Sequence, residues 1–169
     1  MESSETSLTF AARFFLESAR GQQEEGLKRW MAGQSKELFE KALVLNPGND
    51  SSKVGLGSCY IFGDIADNPM QGIMMIREVA ERDPSNMYAQ YMLGVGGLIS
   101  GQLDRAIDRL RLVASKQPDN VEVKFMLADA YEKKGDKINA VKWYEAVREH
   151  VGNPEVVKDI DARIETLKK

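Results

Sequence analysis

From Asn86 onward apolar side chains return every three or four positions, at Tyr88, Tyr91, Met92, Val95 and Ile99, until Ser100-Gly101 interrupts the run. That spacing predicts an amphipathic helix with Asn86 as its N-cap. A second helix follows, with Leu103, Ala106, Ile107, Leu110 and Val113 on one face and Asp104, Arg105, Asp108 and Arg109 on the other, and ends before Pro118-Asp119-Asn120. The cycle then restarts with Val123, Leu127, Ala130 and Tyr131, a Gly135-Asp136 turn, and Ala140, Tyr144, Val147 and Val151. No segment alternates with period two between hairpin turns, so every element is expected to be helical.

Three prolines mark the period. Pro47, Pro84 and Pro118 stand in Asn-Pro, Asp-Pro and Gln-Pro pairs just after an amphipathic run, at intervals of 37 and 34 residues, and Pro154 follows 36 residues later. A residue before proline is pushed out of the helical region, so each pair reads as a helix stop. The unit is helix, short turn, helix, proline turn.

In this pattern the chain resembles the tetratricopeptide repeat family, whose motif has a small residue in the first helix, an aromatic three residues later, a turn glycine, an alanine and a large apolar residue in the second helix, and a closing proline. The unit from Val121 matches with Ala128, Tyr131, Gly135, Ala140 and Tyr144. The unit from Met87 matches with Gly94, Gly101, Ala106, Leu110 and Pro118, with Gly97 at the aromatic place. In the unit from Lys53, Tyr60 falls at the small place and Gly63 at the aromatic one, with Gly72 for the usual alanine before Ile76 and Pro84. The first unit, read from Ala12 and Phe15, is longer by 11 residues, close to three helical turns. It is expected as a helix from Leu8 to about Arg20 and a partner from about Gln34 to Leu45, with further helix around a glycine break between them.

The resemblance implies a single all-α domain over 1–169, a right-handed superhelix (α-α solenoid) of helix-turn-helix units, as in bacterial repeat proteins. Its parts are an irregular unit over about 8–47, repeats over about 53–86, 87–120 and 121–152, and a capping helix over about 155–168. That last helix carries Val156, Ile160, Ile164 and Leu167 on one stripe, as the covered end of a stacked array requires. The resemblance also places a partner-binding groove on the first helices. Its residues are Val54, Gly57, Ile61 and Asp64, then Tyr88, Tyr91, Val95 and Leu98, then Glu122, Phe125, Asp129 and Glu132. Such a groove is apolar and aromatic in the middle and acidic at its C-terminal end. The lysine, arginine and asparagine clamp that one subgroup uses for a terminal carboxylate is not expected, because Gly57, Ile61, Met92, Glu122 and Met126 hold the matching places.

Composition narrows the function. The 169 residues carry 23 basic and 26 acidic side chains, a formal net charge of -3, so nucleic acid is not an expected partner. One Cys and one His cannot build the usual zinc spacings or an internal disulfide, and no metal or other cofactor is expected. The apolar stretch Met87 to Ile99 falls short of the ~20 residues of a membrane span and reads as a buried helix, with no direct membrane insertion. The acidic Met-Glu-Ser-Ser-Glu start lacks the positive charge of a secretory signal, so the default compartment is the cytoplasm. Were the chain a piece of a membrane-anchored protein, it would work outside the cytoplasm.

Candidate chemistry is sparse. Cys59 sits mid-helix at an apolar position and reads as a core thiol. His150 ends a helix, where a cation favours the helix dipole. Gly94-Val-Gly-Gly97 lies inside a helix and lacks the Lys-Ser or Lys-Thr of a phosphate loop, and Asp129 and Glu132 share a face without a metal-ligand motif. The expectation is therefore no enzyme but an interaction scaffold binding a peptide or helix, the alternative being a self-associating, homo-oligomeric module. Seven glycines, Gly55, Gly57, Gly63, Gly72, Gly94, Gly96 and Gly97, fall in predicted helices of the middle units. Each costs roughly 0.5 to 1 kcal/mol against alanine, so close helix contacts or large neighbours such as Tyr60, Phe62, Met70, Met74 and Met75 are expected there.

Overall fold

The computed structural model describes residues 4–63 and 69–169. All regular structure among them is helical: α1 (Glu5–Arg20), α2 (Glu25–Leu45), α3 (Asp50–Phe62), α4 (Pro69–Arg82), α5 (Met87–Ile99), α6 (Leu103–Lys116), α7 (Val121–Lys134), α8 (Lys137–Arg148) and α9 (Pro154–Leu167). The chain forms two compact units, Met1–Met92 and Leu93–Lys169, which divide within α5. No helix among the described residues is long and apolar enough to cross a membrane.

One turn is built three times from the same parts. α2, α4 and α6 each end two residues before a proline, and the asparagine two residues after it donates its N–H back across the turn: Asn49 to Asn46 O at 3.1 Å, Asn86 to Asp83 O at 3.0 Å and Asn120 to Gln117 O at 3.0 Å. The same asparagine then caps the next helix, its side-chain oxygen accepting from Ser52 N at 2.9 Å, Ala89 N at 3.0 Å and Val123 N at 3.1 Å. Proline thus stops one helix and asparagine starts the next. Pro154 does something else: it is the first residue of α9, and its N-cap is Asn153, the residue before it. It continues the numerical spacing without repeating the turn, because proline is equally at home at a helix start, where no N–H is needed.

Contacts within each helix pair set the repeat register. In the α5–α6 pair a side-chain Cβ at Gly94 would lie 2.9 Å from Leu110, and one at Gly97 would lie 3.0 Å from the Ala106 Cβ. In the α3–α4 pair the same relations join Gly57 to Ile76 (2.7 Å) and Gly72 to Tyr60 (2.9 Å). Gly57 is therefore the small residue of α3 and Tyr60 its aromatic three places on. The expected exchange of large and small does not occur. The misreading has a simple cause: Gly57 and Gly72 are 15 positions apart where Gly94 and Ala106 are 12, so counting back from Gly72 lands three residues late. Gly63 is the C-cap of α3 rather than part of its interior.

The first pair obeys the same register with longer arms. Ser35, fully buried on α2, donates its hydroxyl to Ala12 O at 2.8 Å, and Phe39 one turn later is fully buried. Helix α2 begins ten residues before Ser35, whereas α4, α6 and α8 begin three residues before Gly72, Ala106 and Ala140. The excess length is thus mostly two added turns at the start of α2. The break falls at 21–24, and α2 runs through Gly26 and Gly33 without interruption. The core of this unit gathers Ala12, Leu16, Phe39, Leu56 and Cys59, with Leu38, Leu43, Tyr60 and Met75 packed against it.

Candidate functional site

The predicted groove residues separate into three environments. On α3, Val54 is 0% exposed and Gly57 lies against the α4 backbone, so neither offers a side chain to a partner; Ile61 is half-buried, and Asp64 lies outside the described residues. With the register set by contacts, the α3 places matching Tyr88, Tyr91, Val95 and Leu98 are Ser51, Val54, Ser58 and Ile61. Ser58 is also buried and donates its hydroxyl to Val54 O at 2.8 Å. On this face Val54 and Ser58 are thus closed to a partner, while Ser51 and Ile61 are half-buried.

Tyr88 and Tyr91, on the first turns of α5, meet two arginines that sequence reasoning did not single out. The Arg13 guanidinium lies 5.0 Å from the Tyr88 ring centroid and that of Arg20 5.4 Å from Tyr91. Arg20 also donates to the Tyr91 hydroxyl at 2.7 Å and to Glu17 at 3.0 Å. A guanidinium over an aromatic face is attracted by the ring quadrupole while its edge stays free to bind elsewhere. The Tyr88 hydroxyl is buried with no hydrogen-bond partner among the described residues, and burial pushes its pKa upward. Arg13 was legible in principle: it stands one residue after the small Ala12, as Val95 stands after Gly94. Val95 itself is buried and Leu98 half-buried.

The acidic end is neutralised from within. Tyr144 of α8 donates to Asp129 and, at 2.8 Å, to Glu132, both on α7. Arg163 of α9 donates to Glu132 at 2.8 Å, lies 3.6 Å from Asp129, and sets its guanidinium 5.3 Å from the Tyr144 ring. Phe125 meets the same ring edge-on at 5.8 Å between centroids. Burial raises the pKa of Glu132, but the hydrogen bonds from Tyr144 and Arg163 outweigh it and hold the carboxyl below its ordinary range. Glu122 is exposed on the first turn of α7. No pattern marked Arg163 in advance, because α9 has no repeat register from which its position could be counted.

The remaining candidates sit in packing roles. Burial pushes the Cys59 thiol up to about 11, and it donates to Ser35 Oγ at 3.3 Å. A thiol that remains protonated at neutral pH is a poor nucleophile. The His150 Nδ1 meets Ala146 O at 3.0 Å at the end of α8. Met70 and Met74 are exposed on α4 rather than filling space beside glycines; Met75 alone of the three packs on the core.

The match to the tetratricopeptide repeat family model covers residues 98–164. No curated protein matches the sequence. Among solved structures, a crystal structure of MamA superposes with a TM-score of 0.63 at 20% identity, covering 86% of this chain and 77% of that one. A further MamA structure, of a mutant, reaches 0.65 at 18% identity over 95% and 86% of the two chains. YrrB, described as a tetratricopeptide repeat protein with an unusual peptide-binding site, reaches 0.63 at 16% identity over 93% and 84%. At these identities the likeness is one of fold.

Proposed function

We propose that this chain, a tetratricopeptide repeat protein by its family match and its helical array, is a non-catalytic scaffold that receives a peptide or helix of another protein. The observation that carries this reading is the Arg13–Tyr88 and Arg20–Tyr91 pair of stacks in the first unit. Tyrosine and arginine, with tryptophan, are enriched among the side chains that dominate binding energy at protein interfaces. Here both tyrosines are half-buried with an arginine over each ring, so part of the side-chain entropy cost of binding is already met. Arg13 is exposed and has no acidic partner among the described residues, which favours a segment that brings a carboxylate. The second unit supports the assignment by contrast, since Asp129 and Glu132 are already engaged by Tyr144 and Arg163. YrrB, of the same fold, is described as binding a peptide, which agrees with this use of the array.

The test is affinity capture with the purified protein, comparing the native chain with Tyr88→Ala/Tyr91→Ala. Loss of the captured proteins with helical circular dichroism retained is the expected result. Unchanged capture by the variant would place the binding surface elsewhere.

A further inference from the structure

The first helix carries an aromatic face that the register marks as an interface. Phe10 and Phe14 stand two residues before and after the small Ala12. The equivalent residues of α3, Gly55 and Cys59, face α2: a Cβ at Gly55 would collide with the Phe39 ring, and Cys59 bonds to Ser35. In α7 the second of the two equivalent places holds Ala130, which is fully buried. On α1 the same two places are 75% and 65% exposed. They hold large rings where α3 has Gly55 and Cys59, so the surface is not shaped for the close helix approach that α3 makes to α2.

The rings extend into a patch. Phe14 meets Phe15 edge-on at 6.2 Å, Phe15 meets Trp30 at 5.8 Å, and Trp30 is 55% exposed. Phe10 and Phe14 themselves border an open hollow of about 740 Å³, lined also by Glu5, Thr6, Thr9, Arg13, Glu17 and Asn49. Knob and hollow therefore share one surface, which is the requirement for self-complementary, two-fold pairing.

We propose that the occupant of this face is the same face of a second copy, giving a closed two-fold dimer through α1. Antiparallel pairing about Ala12 sets Phe10 of one copy opposite Phe14 of the other and offers each copy's rings a neighbouring hollow. Phe10, Phe14 and Trp30, at 75%, 65% and 55% exposure of about 150–250 Å² each, supply roughly 400 Å² per copy, about half of the ~800 Å² per partner in a standard interface. Pairing of this face with α9 of another copy is disfavoured because the exposed side of α9 carries Lys158, Asp159 and Glu165 rather than an aromatic face. The dimer does not depend on the peptide reading above, and the two fail separately.

Light scattering coupled to size exclusion, from ~1 to ~100 μM, tests it. The native chain is expected near 38 kDa at the upper end, twice 18.9 kDa, and Phe10→Asp/Phe14→Asp is expected to be monomeric throughout, with unchanged helicity because both side chains are already exposed. Phe10→Leu/Phe14→Leu should stay dimeric with at most about tenfold weaker association, and Val156→Asp on α9 should leave the dimer intact. A native chain that is monomeric at every concentration overturns the proposal, as does a dimer that survives the aspartates or is lost in the α9 variant.

Discussion

The α3–α4 and α7–α8 pairs use one register and opposite materials. In α7–α8 the places nearest the helix crossing hold Ala128 and Ala140, both fully buried, flanked by Tyr131 and Tyr144. In α3–α4 they hold Gly57 and Gly72, and the helices come so close that a Cβ on Gly72 would lie 2.3 Å from Gly57 O and one on Gly57 2.7 Å from Gly72 O. The first pair is held apart by methyl groups; the second lies backbone on backbone. Glycine's cost in a helix is therefore compensated here by contact that no other residue permits.

The sharpest way to break this contrast is to exchange the materials. Gly72→Ala forces a carbon into a backbone oxygen that no side-chain rotation can move, and should cost about 3 kcal/mol, at the upper end of overpacking. Ala140→Gly in the other pair removes one buried methyl and loosens the helix, for about 1 kcal/mol. Chemical denaturation of the two variants gives both numbers. Equal losses would mean that α3 and α4 slide apart freely and that the close approach is not what holds them.

Between these extremes stands Gly97, whose added Cβ would lie 3.0 Å from that of Ala106. The neighbour is a side-chain carbon rather than a backbone oxygen, so Gly97→Leu should destabilise through overpacking by about 1–3 kcal/mol. A raised melting temperature would show instead that α5 and α6 part to accept the side chain.

The helices themselves were legible because period and punctuation agree: Met87–Ile99 was bounded from sequence at the same residues that the structure shows. The α3 register was not. Periodicity locates a helix but not its partner's offset, and three additional residues between Gly57 and Gly72 shift the count along α3 by three positions. Tyr88, Tyr91, Asp129 and Glu132 could be named as facing residues, but their partners Arg13, Arg20 and Arg163 come from helices distant in sequence. No local pattern encodes such a pairing.

The same comparison reaches the charged end of the α7–α8 pair, which has a polar lock where α3–α4 has Ile76. Tyr144→Phe keeps the ring and removes the hydroxyl that Asp129 and Glu132 accept from, at a cost of about 1–2 kcal/mol. A melting temperature within error of the native value would mean that Arg163 alone satisfies both carboxylates.

Arg163→Met should have the smallest effect and the most diagnostic pH dependence. Its side chain is 47% exposed, so solvent screening limits the ion pairs with Glu132 and Asp129 to about 0.5–1 kcal/mol together. Glu132 titrates below its ordinary 4.5 in the folded chain. A carboxyl whose folded pKa is depressed stabilises the fold above its unfolded pKa and loses that contribution as pH falls through the folded one. The difference in melting temperature between native and Arg163→Met chains should therefore be constant from pH 7 down to about 5 and close below 4.5. A difference that persists unchanged into acid would assign the role of Arg163 to its stacking on Tyr144, which methionine lacks at any pH, and leave the hydroxyl of Tyr144 as the donor that sets Glu132.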